Sequence, residues 1–305
     1  MIKARKLTKR FGEVEALVNL NCNIPQGCIY GLVGANGSGK STFLRLCNGI
    51  YQPDEGNISI NGGEVFDNPS VKEHCVFVPD DLYFLPQSNL NRMMQLYESM
   101  YPFFSKARYK ELCAAFKLSA TRPLNTFSKG MRRQAATILA LSAMTDYVFF
   151  DETFDGLDPV MRNLVKGMLY DEVLERGCTA VVTSHSLREL EDTCDQLSLL
   201  YEGGIVFESD VQNLKTTLFK VQVAFSQEYD RSMFDELDIL AFNKQGSVSN
   251  LIIRGDSAKC KAIIAAKDPL ILEILPLTLE EVFLYEMEAL GYSFEEPAAK
   301  GGARA

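Results

Sequence analysis

The segment Gly34–Thr42 carries the strongest chemical signal in this 305-residue chain. It reads GANGSGKST and fits G-x-x-x-x-G-K-[ST], the pattern of a loop that cradles phosphates. Its glycines let successive backbone N–H groups converge on an anion, and the N-terminus of the following helix also favours negative charge. In this pattern Lys40 reaches the β and γ phosphates, and the Ser41 hydroxyl is a ligand of Mg²⁺. The predicted nucleoside triphosphate contacts are Asn36, Gly37, Ser38, Gly39, Lys40, Ser41 and Thr42.

Two acidic residues follow the apolar run Tyr147–Phe150 (YVFF), which predicts a buried strand. A carboxylate at the end of such a strand lies beside the phosphate loop in parallel-sheet nucleotide hydrolases and holds Mg²⁺ through water. We predict this role for Asp151. Glu152 is placed to act as the general base that activates the attacking water. Acidic residues also cap strand ends in many proteins, so the prediction for this pair depends on the phosphate loop.

Short apolar runs alternate with helical patterns in the first two-thirds of the chain. The predicted strands are 28–33, 147–150 and 179–183, and the predicted helices are 41–49 and 187–194. Continuous apolar strands separated by helices are typical of a parallel sheet covered on both faces. From Leu90 to Met144 apolar residues recur at helical spacing, which predicts a helical insertion between the strands.

Beyond Gly204 the pattern changes to that of a second, smaller α/β unit. Its predicted strands are 219–225 and 248–253, and its predicted helices are 257–266 and 279–290. We therefore predict a first domain at 1–212, with a helical subdomain at about 85–145, and a small C-terminal domain at 216–293. The segment 294–305 is rich in Ala, Gly and Glu and is predicted to be a disordered tail.

Composition excludes several classes of protein. The formal net charge of -9 argues against a nucleic-acid partner, because such proteins usually carry a basic surface, although net charge does not describe how charge is distributed. The eight cysteines form no C-x-x-C pair and the chain has only two histidines, so we expect buried free thiols rather than a metal site. We find neither a signal peptide pattern nor an apolar run near the ~18 to 20 residues of a membrane span.

Further motifs resemble those of the ABC ATPase family. Phe127–Met131 (FSKGM) resembles the family signature L-S-G-G-Q and lies upstream of the acidic pair, as the family requires. Asp155–Pro159 (DGLDP) resembles the D-loop, and Thr183–His185 (TSH) resembles the switch histidine segment. Phe11 matches the aromatic residue that stacks on adenine. The resemblance covers about residues 1 to 210, with the motifs in the family order.

The resemblance implies an α/β P-loop NTPase fold: an ABC ATPase core with a helical subdomain insertion, here with a small C-terminal α/β domain. It implies ATP and Mg²⁺ as cofactors, and the preference for ATP over GTP depends on Phe11 alone. Ser128 and the Gly130 N–H would bind a γ-phosphate held by the phosphate loop of a second, head-to-tail copy of the chain. Asp158 of the D-loop completes the predicted nucleotide contacts. His185 would contact the γ-phosphate or orient water, whereas outside this family context it is more simply explained as a core histidine.

One departure from the family lies in Val78–Asp81 (VPDD), where the Q-loop glutamine of the family falls on Asp80. A carboxylate there can bind Mg²⁺ through water but cannot donate as an amide does, so Asp80 joins Ser41 and Asp151 as a predicted metal residue. The alternative is that the two aspartates are turn residues, and Gln87 is another candidate for the missing glutamine. The departure concerns the rate of hydrolysis and its transmission more than ATP binding.

The Asp at the Q-loop, the S-K-G-M signature and the C-terminal unit resemble ATPase subunits of ABC-2-type exporters of Gram-positive bacteria, including exporters of antimicrobial peptides. The ending Leu277–Leu284 (LTLEEVFL) resembles the phrase that closes many such chains. The resemblance implies an ATP-hydrolysing motor, peripheral on the cytoplasmic face of the membrane, with a separate transmembrane permease docked between the helical insertion and the sheet. Aromatic residues at 82–84 and 101–104 either line that groove or belong to the core. The alternative is a soluble or regulatory ABC ATPase with slow hydrolysis, acting as a nucleotide-gated binding module.

Overall fold

The structure is a computed structural model that describes residues 1–154, 156–211 and 218–289. The chain divides into two units, Met1–Glu208 and a second that begins at Ser209. Two predictions, the disordered tail at 294–305 and the first D-loop residue, Asp155, lie outside the described residues.

The secondary structure is mixed throughout the described residues. The strands are β1 (Ile2–Phe11), β2 (Val14–Ile24), β3 (Ile29–Val33), β4 (Glu55–Ile60), β5 (Gly63–Glu64), β6 (Cys75–Val78), β7 (Tyr147–Phe150), β8 (Thr179–Ser184), β9 (Gln196–Tyr201), β10 (Gly204–Asp210), β11 (Leu218–Ala224), β12 (Asp238–Gln245), β13 (Val248–Arg254) and β14 (Ile271–Leu275). The helices are α1 (Lys40–Cys47), α2 (Pro69–Lys72), α3 (Leu90–Met100), α4 (Lys106–Ala115), α5 (Lys129–Ser142), α6 (Pro159–Arg176), α7 (Leu187–Glu191), α8 (Ser257–Ala265) and α9 (Leu279–Ala289). None of the described helices combines the length and apolar character that crossing a membrane requires.

The central sheet of the first unit has the strand order β10-β9-β3-β8-β7-β6. β3 runs parallel to β8 and β9, and β7 runs parallel to β6 and β8. β3, β7 and β8 are buried along their whole length, which explains why they appear in the sequence as uninterrupted apolar runs. Because these strands are parallel, the loops that follow them meet at one edge of the sheet. That edge receives the phosphate loop, the acidic pair and His185.

A second, antiparallel sheet with the order β2-β1-β4-β5 was not predicted from the sequence. In β1 the residues Ile2 and Ala4 are buried, whereas Lys3 and Arg5 are exposed. This alternation is the ordinary signal of a half-buried strand and was available in the sequence. The buried side of the sheet belongs to the same hydrophobic core as α1 and β3.

The helical region between β6 and β7 contains α3, α4 and α5, each begun by a capping side chain. The Asn89, Ser105 and Ser128 side chains accept from backbone N–H groups three residues on, at Arg92, Arg108 and Met131. Such caps satisfy N–H groups that the first helical turn leaves without partners. The helix predicted for 187–194 instead ends at Glu191, because the N–H groups of Thr193 and Cys194 both turn back to the Leu190 carbonyl.

The second unit contains an antiparallel sheet with the order β12-β13-β11-β14. One face of this sheet carries a core that includes Phe219, Val221, Leu251 and Ile253, and two side chains from α8, Cys260 and Ile264, complete it. The sequence predicted β11, β13, α8 and α9 within about a residue at the described ends, whereas β12 and β14 were missed. β14 has only five residues and none of them is fully buried, so its apolar pattern is weak.

Candidate active site

The phosphate loop follows β3 and leads into α1, as its pattern requires. Gly37 and Gly39 have φ of 84° and 111°, a left-handed region that favours glycine. A Cβ on Gly39 would also lie 2.5 Å from the Ala16 carbonyl oxygen, so the chain has no room for a side chain there. Asn36 and Gly37 are exposed, whereas Ser38 is buried and its hydroxyl has no hydrogen-bond partner among the described residues.

Lys40 projects its ammonium group into this loop although the residue is buried. The ammonium donates to the Gly34 carbonyl oxygen at 2.7 Å and to that of Ala35 at 3.2 Å. It also lies 3.3 Å from Glu152 Oε1, which partly offsets the cost of burying its charge. The predicted phosphate ligand and the predicted general base are therefore in direct contact. Ser41 and Thr42, the other loop residues predicted to contact nucleotide, are partly exposed on the first turn of α1.

Asp151 follows β7 directly and is completely buried, and Thr183 of β8 orients its carboxylate. The Thr183 hydroxyl donates to Asp151 Oδ1 at 2.7 Å and accepts from the Glu152 N–H at 3.0 Å. Asp151 Oδ2 has no hydrogen-bond partner among the described residues. A buried carboxylate oxygen without a donor is the environment that a hydrated cation satisfies, so the residues fit Mg²⁺.

Glu152 occupies a strained backbone position and bridges two predicted site residues. Its φ of 50° is rare for a residue with a side chain, and such conformations concentrate at functional sites. Its Oε2 lies 3.0 Å from His185 Nδ1, on the opposite side of the carboxylate from Lys40. His185 is 51% exposed, which contradicts the alternative of a satisfied core histidine.

A second set of contacts connects the histidine segment to α6. The Ser184 hydroxyl donates to Glu189 Oε2 at 2.6 Å, and Arg162 of α6 lies 3.5 Å from the other oxygen of that carboxylate. The Ser184 hydroxyl also accepts from the Ser186 N–H at 3.0 Å, so it fixes the loop on both sides of His185. The sequence analysis quoted Thr183 only as part of the histidine segment and gave a role to neither Thr183 nor Glu189. A hydroxyl two residues before the histidine was the available signal.

The signature residues and Asp158 contact parts of this chain other than the phosphate loop. The Ser128 hydroxyl accepts from the Met131 N–H at 3.2 Å as the cap of α5. A Cβ on Gly130 would lie 3.0 Å from the Gly156 carbonyl oxygen, so the start of α5 packs closely on the D-loop segment. Asp158 caps α6 by accepting from Val160 and Met161 N–H groups at 3.0 Å. In the described part of the chain, these contacts do not bring Ser128 or Asp158 to the phosphate loop.

Comparison with known proteins gives this geometry a family. Residues 17–155, which include the phosphate loop, the signature and the acidic pair, match the family model described as ABC transporter. The chain carries an ABC transporter ATP-binding domain. The predicted resemblance to the ABC ATPase family and the predicted ATPase activity are thereby confirmed.

Curated relatives extend the comparison. "ABC transporter ATP-binding protein YtrB" of Bacillus subtilis is 29% identical over 284 residues, which cover 93% of this chain and 97% of that protein. "Lantibiotic transport ATP-binding protein SrtF" of Streptococcus pyogenes is 28% identical and covers 74% of this chain and 99% of its own length. "Bacitracin transport ATP-binding protein BcrA" of Bacillus licheniformis is 27% identical, with 70% and 71% covered.

Solved structures confirm the predicted fold class. A structure described as the ATP-binding subunit of an ABC transporter superposes with a TM-score of 0.65 at 23% identity, over 70% of this chain and 92% of that one. A dimeric, ADP- and phosphate-bound ATP-binding cassette superposes with a TM-score of 0.63 at 23% identity, over 69% and 99%. At 23% identity these similarities show the fold alone.

Phe11 and Asp80 complete the predicted residues of this ABC domain. Phe11 lies at the end of β1 with its ring 43% exposed and edge-on to Tyr51, at 5.2 Å between ring centroids. The Asp80 carboxylate forms an ion pair with Arg133 of α5, so it is not a simple turn residue. Gln87, the other candidate for the missing glutamine, is exposed with a φ of 54°.

Proposed function

We propose that this chain is the ATP-hydrolysing motor of an ABC exporter and works as a head-to-tail homodimer attached to a separate membrane permease. The observation that supports hydrolysis best is the position of Glu152, with its carboxylate between Lys40 and His185 and next to the buried Asp151. A carboxylate held in this way has a defined direction and needs little reorganisation to act on water.

We assign Mg²⁺ to the Ser41 hydroxyl and, through water, to Asp151. When bound, Mg²⁺ neutralises the charge of the β and γ phosphates and of the leaving group. The chain supplies the remaining functions. Lys40 binds the phosphates, Glu152 accepts the proton of the attacking water, and His185 holds the Glu152 carboxylate and contacts the γ-phosphate. Phe11 offers an accessible ring on which a purine can stack.

We propose the dimer because three predicted nucleotide contacts, Ser128, Gly130 and Asp158, lie apart from the phosphate loop of their own chain. Ser128 and the Gly130 N–H stand at the start of α5, a fourteen-residue helix whose N-terminus favours an anion. Asp158 stands in the same position on α6. We propose that these groups, with Gly156 packed against Gly130, complete the site of a second copy of the chain.

The permease contact is assigned to a groove of about 610 Å³ lined by Ile50, Phe77, Met100 and Tyr101. Ile50 and Met100 are exposed, and the lining also includes the polar residues Asn48, Lys72 and Glu73. A groove with both apolar and polar lining suits a short amphipathic helix of a partner. Of the aromatic residues predicted to line such a groove, Tyr101 does so, whereas Tyr83 and Phe103 are exposed on the surface. This partner would place the chain on the cytoplasmic face of the membrane.

Export is inferred from the relatives, whose names include lantibiotic transport, bacitracin transport and daunorubicin/doxorubicin resistance. We also propose 1–212 as the nucleotide-binding domain and 216–293 as an accessory domain. The match to the B. subtilis protein covers 93% of this chain, whereas the match to the S. pyogenes protein covers 74%. Part of this chain therefore has no counterpart in the S. pyogenes protein, which is itself covered over 99% of its length.

The decisive experiment compares ATP hydrolysis and self-association of the wild-type chain and Glu152→Gln. We expect a loss of turnover of about 10²- to 10⁴-fold, the usual contribution of a positioned general base. We also expect an ATP-dependent homodimer of Glu152→Gln in size-exclusion chromatography. The matched control is Glu175→Gln, which changes an exposed glutamate of α6. A wild-type chain that binds ATP without turnover would support the regulatory module instead.

A further inference from the structure

Two consecutive arginines of α5 hold the loop that follows β6. The Arg133 guanidinium forms an ion pair with the Asp80 carboxylate. Arg132 donates to the Leu82 carbonyl oxygen at 2.7 Å and lies over the Phe84 ring at 5.6 Å. The loop 80–84 is thus attached at three points to the helix that begins at the signature residues.

Burial makes the Asp80 contact more demanding than an ordinary surface ion pair. Arg133 is only 1% exposed, whereas the Asp80 side chain is 54% exposed. A buried guanidinium keeps its proton, and a nearby carboxylate stabilises its positive charge. The exposed Asp80 carboxylate loses little of its hydration in forming this contact. A neutral glutamine at position 80, the residue type of the family, would accept a hydrogen bond but would not balance this charge.

The same loop is also attached to the catalytic edge of the sheet. β6 is the parallel neighbour of β7, and the Asp151 N–H donates to the Val78 carbonyl oxygen at 2.9 Å. Asp80 follows two residues later, and its partner Arg133 lies five residues after Ser128. A hydrogen bond at Val78 and an ion pair at Asp80 therefore connect the Asp151 backbone to the beginning of α5.

We propose that Asp80 is a positioning residue, which sets the helix beginning at Ser128 against β6 through Arg133, and does not hold Mg²⁺ either directly or through water. This inference rests on the proposed function, because the geometry it controls is that of Ser128 and Gly130 toward a second copy of the chain. In this proposal the aspartate that replaces the family glutamine balances the charge of Arg133 and does not bind Mg²⁺.

The test is a double-mutant cycle in the 305-residue chain with Asp80→Asn, Arg133→Gln and the double variant, all in a Glu152→Gln background. The measured quantities are the ATP-dependent dimerisation constant, the affinity for a fluorescent ATP analogue and the Mn²⁺ affinity of the ATP complex. We expect Asp80→Asn to weaken dimerisation about tenfold and the double variant to recover most of that loss, a coupling typical of residues in contact. Affinity for the analogue and for Mn²⁺ should change less than about threefold, within the range of uncoupled sites. The matched control is Asp81→Asn, the same charge change at the next, exposed residue.

A second measurement does not depend on nucleotide. Hydrogen exchange of the chain without ATP should be faster at 80–84 and at the start of α5 in either single variant, and closer to wild type in the double variant. The inference is overturned if Asp80→Asn lowers Mn²⁺ affinity while Arg133→Gln does not, or if Asp80→Asn behaves like Asp81→Asn. A wild-type chain that binds no ATP analogue would contradict the proposed function, and hydrogen exchange would still decide the role of Asp80.

Discussion

The Lys40 ammonium and the Glu152 carboxylate lie 3.3 Å apart at the carboxyl edge of the central sheet. A triphosphate that binds Lys40 must share the ammonium with this carboxylate, and the two anions repel each other. We therefore expect Glu152 to oppose the binding of a triphosphate at Lys40. The two roles can be separated because a glutamine keeps the shape of the side chain and removes its charge.

We predict that Glu152→Gln binds ATP about tenfold more tightly than the wild-type chain, the order expected for a like-charge contact near the protein surface. The gain should be smaller for ADP, which lacks the γ-phosphate. Titration with fluorescent ATP and ADP analogues measures both affinities, and Glu175→Gln serves again as the control. Equal gains for the two nucleotides would mean that Glu152 does not face the γ-phosphate.

Thr183 is predicted to be required for hydrolysis although it need not touch nucleotide. Thr183→Val keeps the shape of the side chain and leaves the Asp151 Oδ1 and the Glu152 N–H without their hydroxyl partner. We expect a loss of about 1–3 kcal/mol of unfolding free energy, the usual cost of unsatisfied buried groups, and at least a tenfold loss of turnover. Thr183→Ser retains the hydroxyl and should stay close to wild type. Denaturant melts and ATPase assays of both variants check this, and equal behaviour would remove the hydroxyl from the explanation.

Asp158 combines a capping role with the predicted nucleotide contact, and two substitutions separate them. Asp158→Ala removes the cap of α6 and should cost about 1 kcal/mol, whereas Asp158→Asn preserves an accepting oxygen and should be nearly neutral in stability. If Asp158 also contributes charge across the dimer, Asp158→Asn will lose hydrolysis several-fold without losing stability. Parallel thermal melts and ATPase assays measure the two effects. Full activity of the Asn variant would restrict Asp158 to the cap.

The buried thiols predict a loss of stability in alkaline solution. All eight cysteines are free, and all are buried except Cys113, which is partly exposed. Burial raises the pKa of Cys22, Cys75 and Cys178 to about 12, compared with 9.0 for an ordinary thiol. A raised folded-state pKa gives stability that is complete below the unfolded pKa and is lost as pH rises through the folded value.

The free energy of unfolding should therefore decline from about pH 9 toward pH 12, and denaturant melts at pH 8 and pH 10.5 measure the change. In the native protein at pH 8, iodoacetamide should modify Cys113 first, and the other thiols only after unfolding. Rapid modification of several thiols in the folded protein would contradict this picture.

Prediction from the sequence succeeds for residues whose role depends on their near neighbours in the chain. The phosphate loop depends on glycines and a lysine within nine consecutive residues, and YVFF followed by Asp151 and Glu152 marks a buried parallel strand and its end. Parallel strands then require these loops to meet at one edge. The fold class, and the expectation that the phosphate loop, the acidic pair and His185 share one edge of the sheet, therefore follow from spacing and from one rule of sheet geometry.

The antiparallel sheet and the two missed strands of the C-terminal unit show the limit of this approach. β1 and β4 pair residues as far apart as Ile2 and Ile60, and β11 and β14 pair residues as far apart as Lys220 and Leu275. The patterns of β4 and β14 are short or half polar, so long-range pairing decides that these two segments are strands. The helix predicted to reach Cys194 instead ends at Glu191, where the Thr193 and Cys194 N–H groups turn back to the Leu190 carbonyl oxygen.

The sequence by itself identified Gly34–Thr42 as a phosphate-binding pattern and indicated the ABC ATPase family, because both depend on short ordered motifs. Only the tertiary structure decided how those motifs are connected. Thr183 orients Asp151, Glu152 stands between Lys40 and His185, and Asp80 is bound to Arg133, a partner 53 residues away in the chain. Ion pairs and hydrogen bonds depend on distance in space, and no pattern of neighbouring residues records which distant side chain will supply the opposite charge.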